Sequence, residues 1–214
     1  MAKPLFTILV VAPSQTASFT ANSTFIQNFR DRILNEFNAV AQGSNNPKVQ
    51  AGFNLEIVTD ADPRAGKVST DLPKNLFRVV LVPHIVTQPE LIAKVKKLAP
   101  GVETSGIVAQ MNAEGGAGRR LKDGSSAAFV SVSKVEEGLL INASPKMYAE
   151  AGRQLGGLVC HELGHALGIN QNQGKGLMFG TVDIDVDQST VTSAVHFEAP
   201  DKRIIVATLD GLAN

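Results

Sequence analysis

In the N-terminal part of the chain, the spacing of apolar residues differs between three successive segments. Residues 5–12 form a continuous apolar run, which is typical of a strand covered on both faces. Apolar side chains then recur at helical spacing over residues 24–41, and residues 53–58 alternate between apolar and polar. This order predicts a strand, an amphipathic helix and a second strand, which is the start of an α/β unit.

The middle of the chain is predicted to continue the sheet. Residues 77–82 are typical of a third strand, residues 89–98 of a short helix, and residues 105–111 and 127–135 of two further strands. Between the last two lies a glycine-rich segment, residues 114–120, which lacks the Lys-Ser/Thr ending of a phosphate-binding loop. We interpret it as a flexible connection, with a flap on the substrate side as the alternative.

A long helix is predicted to begin at Ser144-Pro145, because Ser can cap a helix and Pro is tolerated in its first turn. Its apolar face leads to His161. Gly152, Gly156 and Gly157 each cost about 1 kcal/mol relative to Ala inside a helix. They indicate either that this helix packs closely on the sheet or that it begins later than Pro145.

The C-terminal part is predicted to be β-rich. Residues 182–186 alternate between apolar residues and aspartates, which is typical of a strand with one solvated face. Residues 195–197 and 203–208 could pair as a hairpin about residues 199–202.

Composition excludes several classes of function. The chain has 20 basic and 20 acidic residues, so neither nucleic acid nor an anionic membrane is expected as a partner. The first apolar run is shorter than a membrane span, and we interpret it as a core strand rather than a signal peptide. A single cysteine, Cys160, excludes an internal disulfide framework and is expected to be buried. We expect a monomer.

The segment that carries chemistry is His161-Glu162-Leu163-Gly164-His165. On a helix, residues four apart lie on one face, so both imidazoles could bind one metal ion. Glu162 lies about 100° around the helix from His161. Its carboxylate is therefore expected beside the metal, where it could accept a proton from a metal-bound water.

The pattern is extended by two residues that lie C-terminal to this segment. Gly168 follows the second His by three positions, where a helix can end in a left-handed turn that Gly enters at low cost. The chain would then fold back under the metal. Met178 follows His161 by seventeen positions, which is where metzincins have their methionine turn. The motif and its continuation resemble the metzincin clan of zinc peptidases, with matrixin-like spacing.

The resemblance implies an α/β (α+β) zincin-like fold with a twisted mixed sheet, a backing helix, an active-site helix and a small irregular C-terminal lobe. It places the two lobes at residues 1–169 and 170–214 of one catalytic domain. It also implies Zn²⁺ as cofactor, Glu162 as general base, and Met178 as an apolar floor beneath the imidazoles. A polypeptide substrate would lie antiparallel to the edge strand of the sheet, for which residues 105–111 are the candidate.

The sequence departs from the family at one position. Ten residues after His161, where metzincins have their third His, this chain has Gln171, whose neutral amide is a poorer zinc ligand than imidazole. We predict His161, His165 and Gln171 as the metal ligands. Asp183 is the alternative third ligand, because Gly180-Thr181-Val182-Asp183 resembles the Gly-Thr-x-Asp of aspzincin peptidases. His196 is a minor candidate; it and His84 are otherwise expected to be structural or surface residues.

Three functions are compatible with these residues. The first is a zinc-dependent metallopeptidase that hydrolyses peptide bonds through a zinc-bound water with Glu162 as general base. The second is a catalytically degraded metzincin-like domain that binds a peptide or protein partner; Gln171 favours it, and the retained Glu162 argues against it. The third is a structural domain in which the motif is accidental, which the spacing of Gly168 and Met178 argues against.

Overall fold

A five-stranded β-sheet is the central feature of the protein. The computed structural model describes residues 3–68, 71–82, 93, 97, 115–117, 126–132, 135–136, 139, 143–169, 176–178 and 195–214. The strands are β1 (Phe6–Val11), β2 (Phe53–Val58), β3 (Leu76–Val82), β4 (Gly115–Ala117) and β5 (Ser126–Ser131). They lie in the order β2-β1-β3-β5-β4, and all neighbours are parallel except β4, which is antiparallel to β5. The predicted α/β fold with a mixed sheet is confirmed.

The helices with described bounds include two long ones that pack on one face of this sheet. They are α1 (Ala17–Thr20), α2 (Ser23–Ala41), α3 (Pro47–Gln50), α4 (Pro145–Ala166) and α5 (Ala199–Ala213), and a 3-10 turn spans Ser14–Thr16. The side chain of Asn22 accepts a hydrogen bond from the Phe25 amide and caps α2. The Ser144 hydroxyl accepts one from the Met147 amide, so α4 begins where the sequence predicts.

Alternating residues of the central strands face two different layers. Ile8 on β1 and Val79 on β3 belong to the main core, which they share with buried residues of α2 and α4. Leu9 faces the other side and packs with Leu72 and Leu76. On that side the buried Arg78 donates hydrogen bonds to backbone carbonyls of residues 64–67, which attaches this segment to the sheet.

The interior glycines of α4 permit close packing, but against α2 rather than against the sheet. A β-carbon on Gly152 would lie 2.4 Å from the carbonyl oxygen of Phe25, and one on Gly156 would lie 2.9 Å from the β-carbon of Arg32. Both positions are therefore closed to larger side chains without movement of a helix. Because α4 begins at Pro145, the alternative of a later start was wrong; α4 shares the main core with the sheet, and Gly152 and Gly156 bring it close to α2.

The structure corrects two predictions in the middle of the chain. The segment at residues 114–120 was expected to be a flexible connection, but Gly115–Ala117 forms β4 and pairs with Ala128, Phe129 and Val130 of β5. A strand with so little intrinsic preference depends on its neighbour, which a local sequence window does not contain. The strand predicted at 127–135 ends at Ser131, and Val135 is helical. Of residues 89–98, Ala93 and Lys97 are described and both are helical.

The C-terminal hairpin was wrong, because residues 199–213 form the helix α5. The amide of Glu198 donates to a carboxylate oxygen of Asp201 at 3.3 Å, and Pro200 lies in the first turn, where its missing N–H costs nothing. Helical periodicity was also present. The buried residues of α5 are spaced four apart: Asp201, Ile205, Leu209 and Ala213.

Four further predictions fall partly or wholly outside the described ranges. The strands expected at residues 105–111 and 182–186 and the side chain of His84 lie outside them. The division into lobes at residues 1–169 and 170–214 stays a prediction. In the described part of the chain, no helix is both long enough and apolar enough to span a bilayer.

Candidate metal centre

The two histidines of the motif converge at the C-terminal end of α4. His161 and His165 lie one turn apart, and their Nε2 atoms are 3.0 Å from each other. The His161 residue is 3% exposed, whereas His165 is partly exposed. The pair therefore presents two ring nitrogens to one point that solvent can reach from the side of His165.

The other ring nitrogens determine which tautomer each imidazole adopts. His161 Nδ1 lies 2.6 Å from the Leu177 carbonyl oxygen, and His165 Nδ1 lies 2.8 Å from that of Ile169. A carbonyl only accepts hydrogen bonds, so both Nδ1 atoms must carry the proton. In a neutral ring with this tautomer, Nε2 carries a lone pair, and the Nε2 atoms of the two rings face each other.

This arrangement fits a cation better than it fits a hydrogen bond. When both rings are neutral, neither Nε2 atom has a proton to donate, so their close approach is repulsive unless a positive charge lies between them. Two nitrogens at the usual zinc distance in a tetrahedral site are about 3.3 Å apart. The observed separation is within a few tenths of an ångström of that value, and neutral imidazole is a common zinc donor.

The C-terminal cap of α4 orients His165. Gly168 has φ = 100°, the left-handed conformation that the sequence predicts for it. The Gly168 amide donates to the His165 carbonyl and the Ile169 amide to the Gly164 carbonyl, both at 3.0 Å, which is a Schellman motif. The same turn brings the Ile169 carbonyl to the ring of His165. The glycine that ends the helix thus also determines the direction of the His165 side chain.

A tight turn at residues 176–178 orients His161. Gly176 has φ = 98°, and the next residue, Leu177, supplies the carbonyl that accepts from His161 Nδ1. Met178 is completely buried, and a β-carbon on Gly164 would lie 2.6 Å from its sulfur. The thioether therefore packs against the one helical turn that separates the two histidines.

Burial changes the proton affinities of two side chains in the motif. It lowers the pKa of His161 to about 4, against the smaller opposing effect of the Leu177 hydrogen bond, so this ring is neutral at pH 7. Burial also raises the pKa of Glu162 to about 8. A nearby cation would lower the pKa of this carboxyl again and return it to the ionised form that a general base requires.

The predicted third ligands have different outcomes. Gln171 and Asp183 lie outside the described residues, so both stay predictions. His196 is described, and its Nδ1 lies 2.6 Å from Glu36 Oε2 on α2 rather than beside the other two histidines. Across the described ranges, no three His, Cys, Asp or Glu residues come together as a potential metal site. Cys160 is buried as expected, and burial raises the pKa of its thiol.

Sequence reasoning did not single out two residues that bear on this centre. Arg32 and Glu36 on α2 are buried and joined by an ion pair of 2.9 Å. Their signal in the sequence was the position of two opposite charges one turn apart, each next to an apolar core residue, Ile33 or Phe37. Without the partner segment from the end of the chain, that signal could not be distinguished from an ordinary surface pair.

Comparisons with known proteins give only a weak structural likeness. No family model matches the chain, and no curated protein matches it significantly. Among solved structures, it is similar to the crystal structure of archaemetzincin from Methanopyrus kandleri, with 12% identity over 96% of each chain and a TM-score of 0.44. The function is therefore inferred from the geometry of the centre itself.

Proposed function

We propose that this protein is a zinc-dependent metallopeptidase that cleaves polypeptides as a monomer, with His161 and His165 as metal ligands, Gln171 as third ligand and Glu162 as general base. One observation carries the proposal. Two imidazoles with both Nδ1 protons donated to backbone carbonyls hold their Nε2 lone pairs 3.0 Å apart. A helix that needed these histidines only for packing would gain nothing from two opposed lone pairs.

The residues of the motif divide the chemistry between them. When bound, zinc would polarise the scissile carbonyl and lower the pKa of a coordinated water toward 7. The Leu177 and Ile169 carbonyls hold the Nδ1 protons of His161 and His165, which leaves Nε2 of each ring as the nitrogen that would bind the metal. Glu162 directly follows His161 on the helix, so its carboxylate can take a proton from the attacking water and return it to the leaving amine.

The sheet offers a place for an extended substrate. Among the described strands, β4 is at the edge, and its outer side has no described strand paired with it. An extended peptide could add to this side through backbone hydrogen bonds, as in other cases of β-strand addition. Gly115–Ala117 is therefore our candidate for the substrate-binding edge among the described strands, and the edge strand at residues 105–111, which lie outside the described residues, stays a prediction.

The decisive experiment removes the base and retains the ligands. Glu162→Gln is expected to reduce hydrolysis of casein or of a quenched fluorescent peptide by about 100- to 10,000-fold, with zinc still bound one to one. Glu56→Gln makes the same change on β2, where Glu56 forms a partly exposed ion pair with Arg64; it serves as the control and should be fully active. Unchanged cleavage by Glu162→Gln would refute the mechanism.

A second candidate is a domain that binds peptides without cutting them, which the amide of Gln171 favours because it weakens the metal site. The two candidates differ in what the zinc-loaded parent protein does. A parent that binds extended peptides and leaves them intact over hours would support the binding domain. Any cleavage that a chelator stops and zinc restores would support the peptidase.

A further inference from the structure

The buried pair Arg32 and Glu36 is costly to maintain. Both residues lie on α2, one turn apart, and are 7% and 3% exposed. Two charges removed from water lose hydration, and a buried ion pair often contributes no more stability than apolar residues of similar size. Stability alone therefore does not account for this pair, and its contacts indicate what it positions.

Both side chains hold a short segment that precedes α5. Glu36 uses its two oxygens on neighbouring residues: Oε1 accepts from the Phe197 amide at 2.7 Å, and Oε2 lies 2.6 Å from Nδ1 of His196. Arg32 donates to the carbonyl of Val195 and also to Glu36. The backbone of residues 195–197 is thus fixed to α2 at both ends by charged hydrogen bonds, which are stronger than neutral ones.

The held segment in turn fixes the turn that orients His161. The Leu177 amide donates to the His196 carbonyl at 2.9 Å, while the Leu177 carbonyl accepts from His161 Nδ1. Gly176 packs tightly against this segment, because a β-carbon there would lie 3.1 Å from the same His196 carbonyl oxygen. A continuous series of described contacts therefore leads from the ion pair on α2 to one ring of the metal centre.

We propose that Arg32 and Glu36 are positioning residues for His161, acting through residues 195–197 and the Leu177 carbonyl. The pair touches neither the metal nor the substrate. The effect of the pair on zinc affinity rests on the proposed function, whereas its effect on the orientation of the His161 ring does not. The physical reason is that a ligating imidazole is oriented by the partner of its other ring nitrogen, and loss of such support typically weakens metal binding about 10- to 100-fold.

The test compares three variants of the full chain. Glu36→Gln retains the size of the side chain but replaces one acceptor oxygen with a donor, so either the Phe197 amide or the Arg32 guanidinium loses its acceptor. His196→Ala removes a side chain that is 65% exposed and leaves both backbone contacts intact. Glu56→Gln is the matched control, because it makes the same change in a carboxylate whose described partners are Arg64 and Asn54 rather than Arg32 or residues 195–197.

Two readouts separate positioning from general stability. Zinc affinity is measured against a chromophoric chelator at a temperature where circular dichroism shows each variant to be folded. The Nδ1 proton of His161 is observed by nitrogen-15 NMR of the metal-free protein, which contains only four histidines to assign. Glu36→Gln should weaken zinc binding about 10- to 100-fold and broaden or shift the His161 Nδ1 proton signal. His196→Ala should have an effect of no more than about fivefold, since the backbone contacts remain.

The outcomes also distinguish this proposal from the proposed function. A parent protein that binds no zinc would refute the function, and the His161 signal of the metal-free variants would still decide the positioning role. Zinc affinity within twofold of the parent in Glu36→Gln, together with an unchanged His161 signal, would overturn the inference. If Glu36→Gln does not fold, Glu36→Asp, which retains the charge but shortens its reach by one methylene, is read in the same way.

Discussion

Gly164 lies directly against the sulfur of Met178: a β-carbon on the glycine would be only 2.6 Å from that atom and 3.2 Å from the methionine methyl. Gly164 is the residue before His165, and Met178 follows Leu177, whose carbonyl holds the ring of His161. The contact therefore sets how closely the turn at residues 176–178 approaches the helix that carries both histidines. Any side chain at position 164 must displace the Met178 thioether or the turn that carries it.

The first prediction follows from this contact. Gly164→Ala should weaken zinc binding at least about tenfold, because displaced Met178 moves the Leu177 carbonyl away from His161. Overpacking should also lower the free energy of unfolding by about 1 to 3 kcal/mol. The control is Gly211→Ala in α5, where an added β-carbon would contact nothing within 4 Å and should stabilise the protein by up to about 1 kcal/mol. Urea unfolding and chelator competition measure both effects.

Much of the centre could be predicted from the sequence because its rules are local. The four-residue spacing of His161 and His165 predicted that both lie on one helical face. Gly168 predicted the end of the helix, because the ability to adopt the left-handed conformation at low cost is a property of glycine itself. Parallel strands with continuous apolar runs were found for the same reason. The partner of each Nδ1 atom was not predictable, because a backbone carbonyl carries no signature in the sequence.

The errors have a common physical cause. β4 exists because β5 lies beside it, and the glycines of Gly115–Ala117 gave no sign of a strand. α5 was missed because the β-branched residues Ile204, Ile205 and Val206 outweighed a capping pattern at Glu198 and Asp201. The Arg32–Glu36 pair could not be assigned a role until residues 195–197 were placed against it.

The second prediction concerns metal removal. His161→Ala and His165→Ala should each abolish stoichiometric zinc binding, since each removes half of the described ligand pair. Both variants, and the parent with a chelator, should nevertheless remain folded. The core that β1, β3 and α2 share with α4 contains no metal-dependent element, unlike that of a zinc finger. Far-ultraviolet circular dichroism with and without chelator tests this; complete unfolding of the chelated parent would contradict it.

The third prediction concerns pH and the metal-free protein. The pKa of Glu162 is about 8 in the folded state and about 4.5 when unfolded, so the folded protein favours its neutral form. The stability that this preference contributes is lost as pH rises from 4.5 and is gone above 8. His161 has the opposite dependence: its pKa is about 4 when folded and about 6.5 when unfolded, so its burial costs stability as pH falls below 6.5. Above pH 6.5, only the effect of Glu162 remains.

The free energy of unfolding should therefore fall between pH 6.5 and 8, by about 1 to 2 kcal/mol. Glu162→Gln should remove this decline, because an amide does not titrate. The measurement is urea unfolding of chelated parent and variant at half-unit steps of pH. Equal slopes for the two proteins would mean that Glu162 ionises normally in the folded state.

The last prediction concerns Gln171. Gly168 and the Schellman motif turn the chain out of α4 toward the histidines, and Ile169 is already close enough to bind His165. Gln171 follows only two residues later, so we expect it to reach the metal, where an imidazole would be a better donor than its neutral amide. Gln171→His should therefore tighten zinc binding at least about tenfold and raise peptidase activity, whereas Asp183→Ala should change zinc affinity little.

The two possible ligands make opposite predictions. If Asp183 completes the site, Asp183→Ala would lose the metal and a histidine at position 171 would be indifferent or would crowd the site. Zinc affinities of the parent and both variants, measured under one set of conditions, decide between them.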